Sequence, residues 1–477
     1  MKTIIQHLVL SLALSGFLPA TGSASAQVFT NLHSFAFDDG IGPVATLLLT
    51  SNTLYGTARK YGGGPTDGSG AVFRLNTDGS SFTNLHTFTG GTVGSMEGGN
   101  LNSSLILVSN TLYGTASFGG GSNFGCVFGI NPDGSGLTNV YSFSASEFDT
   151  FPYTNSDGAY PQAGLVSSGG TLYGTAYEGG TVGWGTVFSV NANGGSFTNL
   201  HNFTFIDGQY PSASLILSAD TLYGTTPDGG NGYGTLFKIG TNGLGYTNFY
   251  NFSAAPGYPY TNTDGANPLC NLVLSGDTLY GTAAGGGSVA NGTVFKVNTD
   301  GSGFTRLHDF SATNNLGINS DGAYPQAGLF LSGNRLYGTA SSGGSSGYGT
   351  VFSVDTNGNS FTTLHSFSTT NNLAGTNSDG AIPIGGLVMS GNVLYGTASA
   401  GGATGYGTVF SLILPPSLSI TLSGTNAILT WPTNMTAYNL QSTTNLVPPV
   451  NWTAVNGQYV VTNPLASQKK FFRLTHP

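Results

Sequence analysis

The chain has 477 residues, of which 6% are charged, and its net charge is −9 with only 11 lysines and arginines. No basic run exists to neutralise phosphates, which excludes nucleic acid and an anionic membrane surface as partners. Hydrophobic residues at 39% and aromatic ones at 12% exclude a disordered chain, so the 76 glycines must serve turns and close backbone approaches.

In chain order, the first element is an export leader. Lys2 supplies the positive start, Leu8 to Leu18 the apolar run, and Ala24-Ser25-Ala26 the small-residue cleavage pattern. The run is short for a membrane anchor. No cysteine follows it for lipid attachment, and no later segment is apolar enough to cross a bilayer. The expected mature chain begins at Gln27 and is secreted, extracellular or held at the cell surface.

Residues 27–413 repeat. Leu-Tyr-Gly-Thr begins at Leu54, Leu112, Leu172, Leu222, Leu279, Leu336 and Leu394. A Thr-Val-Phe-like motif places phenylalanine at 73, 128, 188, 237, 295, 352 and 410. A Phe-Thr-Asn-Leu-His-like motif starts at 29, 82, 137, 197, 246, 304 and 361. With an apolar run such as Ala163-Gly164-Leu165-Val166, each repeat holds four short strand candidates bounded by Gly, Asn, Asp and Ser. That is the pattern of a propeller blade. The chain opens on an outer-strand motif and its last repeat lacks one. The predicted fold is therefore all-β: a seven-bladed propeller whose N-terminal strand completes the last blade and removes an open edge.

Spacing separates two faces. The acidic residue before the inner strand lies 15 positions before the leucine of Leu-Tyr-Gly-Thr, as from Asp379 to Leu394. The connection from outer strand to next inner strand instead runs from 4 (Phe35 to Asp39) to 14 positions (Phe143 to Asp157). The second-to-third loop varies too. Both variable connections fall on one face, the expected place for function. Cys126 and Cys270 fall in non-adjacent blades and read as buried small side chains. After Pro415-Pro416, residues 414–477 change character, and their alternation predicts five to seven strands in a small β-sandwich-like module.

The unit from Asp321-Gly322-Ala323-Tyr324-Pro325 through Leu336-Tyr337-Gly338-Thr339 to Gly349-Thr350-Val351-Phe352 resembles the bacterial GloVer tandem repeat, over roughly residues 28 to 412. The resemblance implies an exported protein of this architecture and no particular chemistry. The tail is similar to small fibronectin-like modules, and the chain lacks the apolar helix of anchored members.

Four residue sets carry candidate chemistry. Asp39, Glu97, Asp157, Asp207, Asp264, Asp321 and Asp379 recur before the inner strand, each followed by glycine. As a ring at the channel mouth they could hold calcium, with Asn155, Asn262, Asn319 and Asn377 two residues earlier. The distal glutamate of calcium loops is missing, and the competing reading is a turn acid accepting backbone N–H bonds. His33, His86, His201, His308 and His365 share one outer-strand position with Tyr141 and Tyr250. Tyrosine is a poor zinc ligand, which favours packing, and no metal or other cofactor is expected. Phe124, Trp184, Tyr233, Tyr348 and Tyr406 sit in glycine-rich loops of the variable face and suit stacking on sugars; the alternative is packing between blades. All three glutamates, Glu97, Glu147 and Glu178, fall in blades 2 and 3, where two could form an acid/base pair.

The sequence thus leads to a monomeric, non-catalytic binding propeller with a neutral glycan or a surface protein as partner. A carbohydrate-active hydrolase or lyase using the blade 2–3 acids, and a structural surface component, remain as alternatives. Mass spectrometry of the exported protein should give a chain starting at Gln27; a retained Met1 would contradict the leader.

Overall fold

The computed structural model describes residues 27–60, 70–90, 97–146, 152–255, 257, 259–371, 374–415, 419–423, 426–430, 439–444, 453–455, 460–464 and 471–475. The leader and its cleavage pattern lie outside them. Seven four-stranded antiparallel sheets form the propeller. Blade 3 shows the pattern: Val166–Ser168, Thr171–Ala176, Thr186–Asn191 and Thr198–Asn202 pair in chain order from axis to rim. A register shift after Val187, repeated in other blades, bends the third strand against the outer one.

The segments entering the inner strands surround a narrow polar cavity of about 110 Å³ on the axis, lined by residues of all seven blades. Three blades place glycine at the constriction where the other four place Thr46, Ser104, Ser214 and Asn271. A Cβ on Gly164 would lie 2.3 Å from Ser104 Oγ and 2.8 Å from Ser214 Oγ.

Each residue of Leu-Tyr-Gly-Thr has its own task. In blade 3, Leu172 is fully buried, and Tyr173 packs into the core shared with blade 4 beside Leu215 and Phe237. Gly174 lets the Phe188 ring lie on the backbone, where a Cβ would sit 2.7 Å from Cζ. The threonine ties neighbouring blades near the axis. Thr57 Oγ1 donates to Ser103 O at 2.8 Å, Thr115 to Ala163 O at 2.8 Å and Thr282 to Ala327 O at 3.0 Å. Thr397 donates to Ala45 O at 3.2 Å and so joins the last blade to the first.

Further out, the phenylalanine ending each outer strand meets the third-strand phenylalanine of the next blade edge to face. Phe35–Phe73 at 5.1 Å, Phe203–Phe237 at 5.1 Å and Phe367–Phe410 at 5.5 Å are examples. Such pairs add about 0.5–1.5 kcal/mol each beyond their burial.

The ring closes as the strand count requires. Val28–Ser34 pairs with Thr408–Ile413 as the outer strand of the last blade, beyond Val393–Ala398 and Val388–Ser390. Phe35 N donates to Gly407 O at 3.0 Å, and Ala403 N to Ser34 Oγ at 3.2 Å. Cys126 and Cys270 are buried and not joined in a disulfide; Cys270 Sγ accepts from Thr282 N at 3.1 Å, and burial pushes the Cys126 thiol up to about 12.

In the tail, Ser419–Ser423, Asn426–Thr430 and Val460–Pro464 form one three-stranded sheet, and Thr453–Ala454, Asn439–Thr443 and Phe471–Thr475 another.

Deleting residues 28–35 strips the last blade of its outer strand and removes Phe35 from the core. The variant should aggregate and melt far below the parent in calorimetry and size-exclusion chromatography. A monomeric variant of unchanged melting temperature would refute closure by this strand.

Candidate functional site

The repeated acids and the repeated His/Tyr positions are two halves of one clasp. The outer-strand ring of one blade meets the carboxylate leading into the next. His308 Nε2 lies 2.9 Å from Asp321 Oδ2, His365 3.0 Å from Asp379, His201 3.1 Å from Asp207 and His33 3.2 Å from Asp39. Tyr141 Oη donates to Asp157 and Tyr250 Oη to Asp264, both at 2.7 Å. The same carboxylates take the amide and hydroxyl of a serine or threonine just beyond the outer strand, as Asp321 does from Ser311, except Asp39, which takes only the amide of Ala36. None of the seven acids lines the axial cavity, so they form no ring at the channel mouth. The four asparagines are equally committed. Asn319 Nδ2 donates to Ser311 O and Gly322 O, while its Oδ1 accepts from Gly322 N and Gly344 N. Among the described residues, no group of three or more metal-ligating side chains occurs.

The clasp explains why tyrosine replaces histidine. At most interfaces the ring lies between a stacked and an edge-on aromatic ring, so the position needs a flat ring with a polar hydrogen at its tip. The His308 ring stacks on Phe361 at 3.6 Å and the Tyr141 ring on Phe197 at 4.0 Å, and each also meets its own strand's phenylalanine edge-on. At the boundary of blades 1 and 2, Leu137 stands in the stacking position. There the acid is the longer Glu97, whose Oε2 is 3.6 Å from His86 Nε2 and accepts from Thr89 N and Oγ1. A cavity of about 150 Å³ opens beside Phe88, Glu97, Cys126 and Leu137.

Burial raises Asp207, Asp321 and Asp379, but the His hydrogen bond together with the Ser or Thr bonds outweighs it and holds each below the ordinary carboxyl range. His33 is lowered because burial outweighs the attraction of Asp39.

The five loop aromatics are half-buried. Phe124 packs between Tyr153 and Tyr160, and Trp184 sets its edge against Tyr210 at 5.4 Å. Tyr233 Oη donates to Ala255 O at 2.8 Å. Their carbonyls also hold the next blade: Tyr160 N donates to Phe124 O, Tyr210 N to Trp184 O, Asn267 N to Tyr233 O and Ile382 N to Tyr348 O, at 2.8–3.0 Å. Tyr406 O accepts from Gly42 N in the same way.

Those donors are residues that sequence reasoning missed. Three places after each acid, Asn100, Tyr160, Tyr210, Asn267, Tyr324 and Ile382 have φ between 53° and 59°, and Gly42 has φ 67°. Non-glycine residues rarely adopt this left-handed conformation. Here the loop carbonyl of the preceding blade fixes it at most interfaces. The signal was present as the Asp-Gly-X-Tyr-Pro pattern before three inner strands.

One pocket of about 520 Å³ opens on the variable face across blades 4 to 6. Its lining includes Tyr233, Tyr260, Asn267, Asn291, Thr313 and Tyr324, with no charged side chain. Tyr260 is 55% exposed and Tyr324 44%. Of the loop aromatics, only Tyr233 belongs to this pocket; Phe124, Trp184, Tyr348 and Tyr406 lie elsewhere. Tyr260 and Ala290, at φ 49° and 65°, are strained outside the repeated position.

Of the candidate acid/base set, two members lie among the described residues. Glu97 is held in the blade 1–2 clasp, Glu178 sits in the second-to-third loop of blade 3, and Glu147 lies outside the described residues.

The family model of the Gloeobacter/Verrucomicrobia repeat matches residues 20–153, 148–314 and 258–429. No curated protein matches the sequence. Among solved structures, the chain is similar to an oligogalacturonate lyase from Vibrio parahaemolyticus at 10% identity, covering 82% of this chain and 95% of that one with a TM-score of 0.49. It is similar to a GH74 enzyme of Niastella koreensis at 14% identity, covering 88% and 65% with a TM-score of 0.45. A chain of the nidogen/laminin complex is 12% identical, with coverage of 63% and 91% and a TM-score of 0.37. No chemistry is carried over from any of them.

Two outcomes follow from the clasp. A carboxyl depressed in the fold contributes stability that is present above its unfolded pKa, about 3.9 for Asp, and lost as pH falls through the folded value. The melting temperature should therefore drop steeply below about pH 4. Asp321→Asn should flatten that drop, and an unchanged acid limb would refute the role. Leu137→Phe should fill the blade 1–2 cavity, restore the stack on His86 and add about 1 kcal/mol to stability. A lowered melting temperature would show that the interface has no room for the ring.

Proposed function

The chain belongs to the Gloeobacter/Verrucomicrobia repeat family, and we propose that it is an exported, non-catalytic binding propeller that takes a neutral glycan in the pocket of blades 4 to 6. The pocket lining carries the reading: tyrosine rings beside asparagine amides and a threonine hydroxyl, without charge. A sugar ring presents C–H groups on one face, which suit the electron-rich face of an aromatic ring, and hydroxyls at its rim. Asparagine offers those hydroxyls both a donor and an acceptor. A volume near 520 Å³ lies within the ordinary range of small-ligand sites. Export rests on the leader pattern from Lys2 to Ala26.

The clasps support the binding role indirectly. They use the repeated acids and imidazoles for assembly, which leaves the variable connections free to differ between blades.

The test pairs two measurements on one variant. Tyr260→Ala should weaken binding of neutral oligosaccharides by about tenfold, the loss of one stacking ring, while the melting curve moves little because the ring is more than half exposed. Unchanged affinity in the variant, or no binding by the parent across a panel of neutral polysaccharides, would overturn the reading.

A further inference from the structure

The repeat frame breaks its symmetry at one more position. Six places after the leucine of Leu-Tyr-Gly-Thr stand Lys60, Phe118, Glu178, Asp228, Gly285, Ser342 and Ala400 in blades 1 to 7. Only the adjacent blades 3 and 4 place a carboxylate there. Both acids sit in second-to-third loops of the variable face, bridged through the backbone to Ala159 and Gln209 respectively. The Glu178 side chain has a buried Oε2 without a hydrogen-bond partner. No ion pair neutralises either acid among the described residues. Burial pushes both carboxyls above the ordinary range.

Aromatic rings stand with these acids. Tyr177 and Tyr210 stack at 5.0 Å and 27°, and Trp184 abuts Tyr210. Tyr177 precedes Glu178 in the chain and Tyr210 follows Gln209, the backbone bridge partner of Asp228, so the stacked pair links the two acids; burial, then the charges of Glu178 and Asp228, raises both phenols. The strip is also joined to the pocket. Asn267, which lines the pocket, donates from Nδ2 to Asp228 Oδ1 at 3.3 Å.

We propose that this strip is an ammonium subsite: Asp228, the Tyr177–Tyr210 pair and Glu178 receive the protonated amino group of an amino-sugar oligosaccharide whose neighbouring unit fills the pocket beyond Asn267. The proposal rests on the glycan reading above and narrows its ligand class. Half-buried carboxylates without a cation carry an uncompensated desolvation cost, which an ammonium relieves. An ammonium on a sugar also gains from the faces of nearby rings, as a cation does in an aromatic cage. A divalent metal would find two carboxylates and too few further oxygen ligands. The net charge of −9 attracts cationic chains.

Calorimetric titration of the full-length protein with glucosamine, N-acetylglucosamine and glucose oligomers of equal length, in mildly acidic low-salt buffer, tests this. The glucosamine oligomer should bind about tenfold more tightly than the other two, and added salt should erase the difference. Glu178→Gln with Asp228→Asn should remove that preference, and Glu178→Gln alone, which leaves the Asn267–Asp228 bond in place, should keep the affinity for the glucose oligomer. If the double variant fails to fold, Glu178→Gln alone should lower the preference several-fold. Equal affinity for all three oligomers, or a preference that survives the substitutions, overturns the subsite and leaves the neutral-glycan reading intact. Binding of the glucosamine oligomer alone supports the subsite and overturns the neutral reading. Binding of none overturns both.

Discussion

The structure depends on the contact between an outer-strand ring and the carboxylate that starts the next blade. A single four-stranded blade cannot bury its own faces, so stability must come from the interfaces between blades. The interface of blades 5 and 6 shows the full set, a hydrogen-bonded clasp, a stacked ring, an edge-to-face phenylalanine pair and a threonine bond near the axis, in His308–Asp321, His308–Phe361, Phe310–Phe352 and Thr282–Ala327. Polar and apolar parts support each other. The aromatic sandwich excludes water from the carboxylate, and the carboxylate satisfies the ring's polar hydrogen.

That division of labour frees the rest of the chain. The clasps fix where each connection leaves the outer strand and where it enters the next inner one. Between those points the chain varies in length from the short turn at Phe35–Asp39 to the long one at Phe143–Asp157. The left-handed residues after the acids, Tyr160, Tyr210 and Tyr324 among them, are held by the preceding blade's loop. They present rings on a face whose backbone is already rigid. A rigid rim with variable rings is a good platform for recognition, because little conformational entropy is lost when a ligand binds.

The blade 1–2 boundary shows how much the clasp tolerates. Leu137 replaces the stacking ring and glutamate replaces aspartate, yet the approach of carboxylate to imidazole survives at 3.6 Å. The missing ring leaves a cavity instead of a rearranged strand pairing, since Thr83–Thr87 and Ala71–Asn76 keep the register seen in the other blades.

The sequence by itself determined the blade count, the strand order and the closure by residues 28–34, because four short motifs in fixed order leave a propeller as the arrangement that pairs every edge. It also separated the uniform face from the variable one, since hairpin turns have fixed lengths and connections between blades do not. Tertiary structure decided what the repeated residues are for. Asp321 and His308 lie 13 positions apart in the chain, and no spacing rule says that one grips the other. The pocket was beyond sequence reasoning for the same reason. Tyr233, Tyr260 and Tyr324 come from three different connections, and only the circular packing of the blades brings them to one wall. Trp184, one of the five loop rings the sequence offered, lies outside the pocket and abuts Tyr210. Which rings face solvent depends on how neighbouring blades pack, and that is a property of the assembled circle.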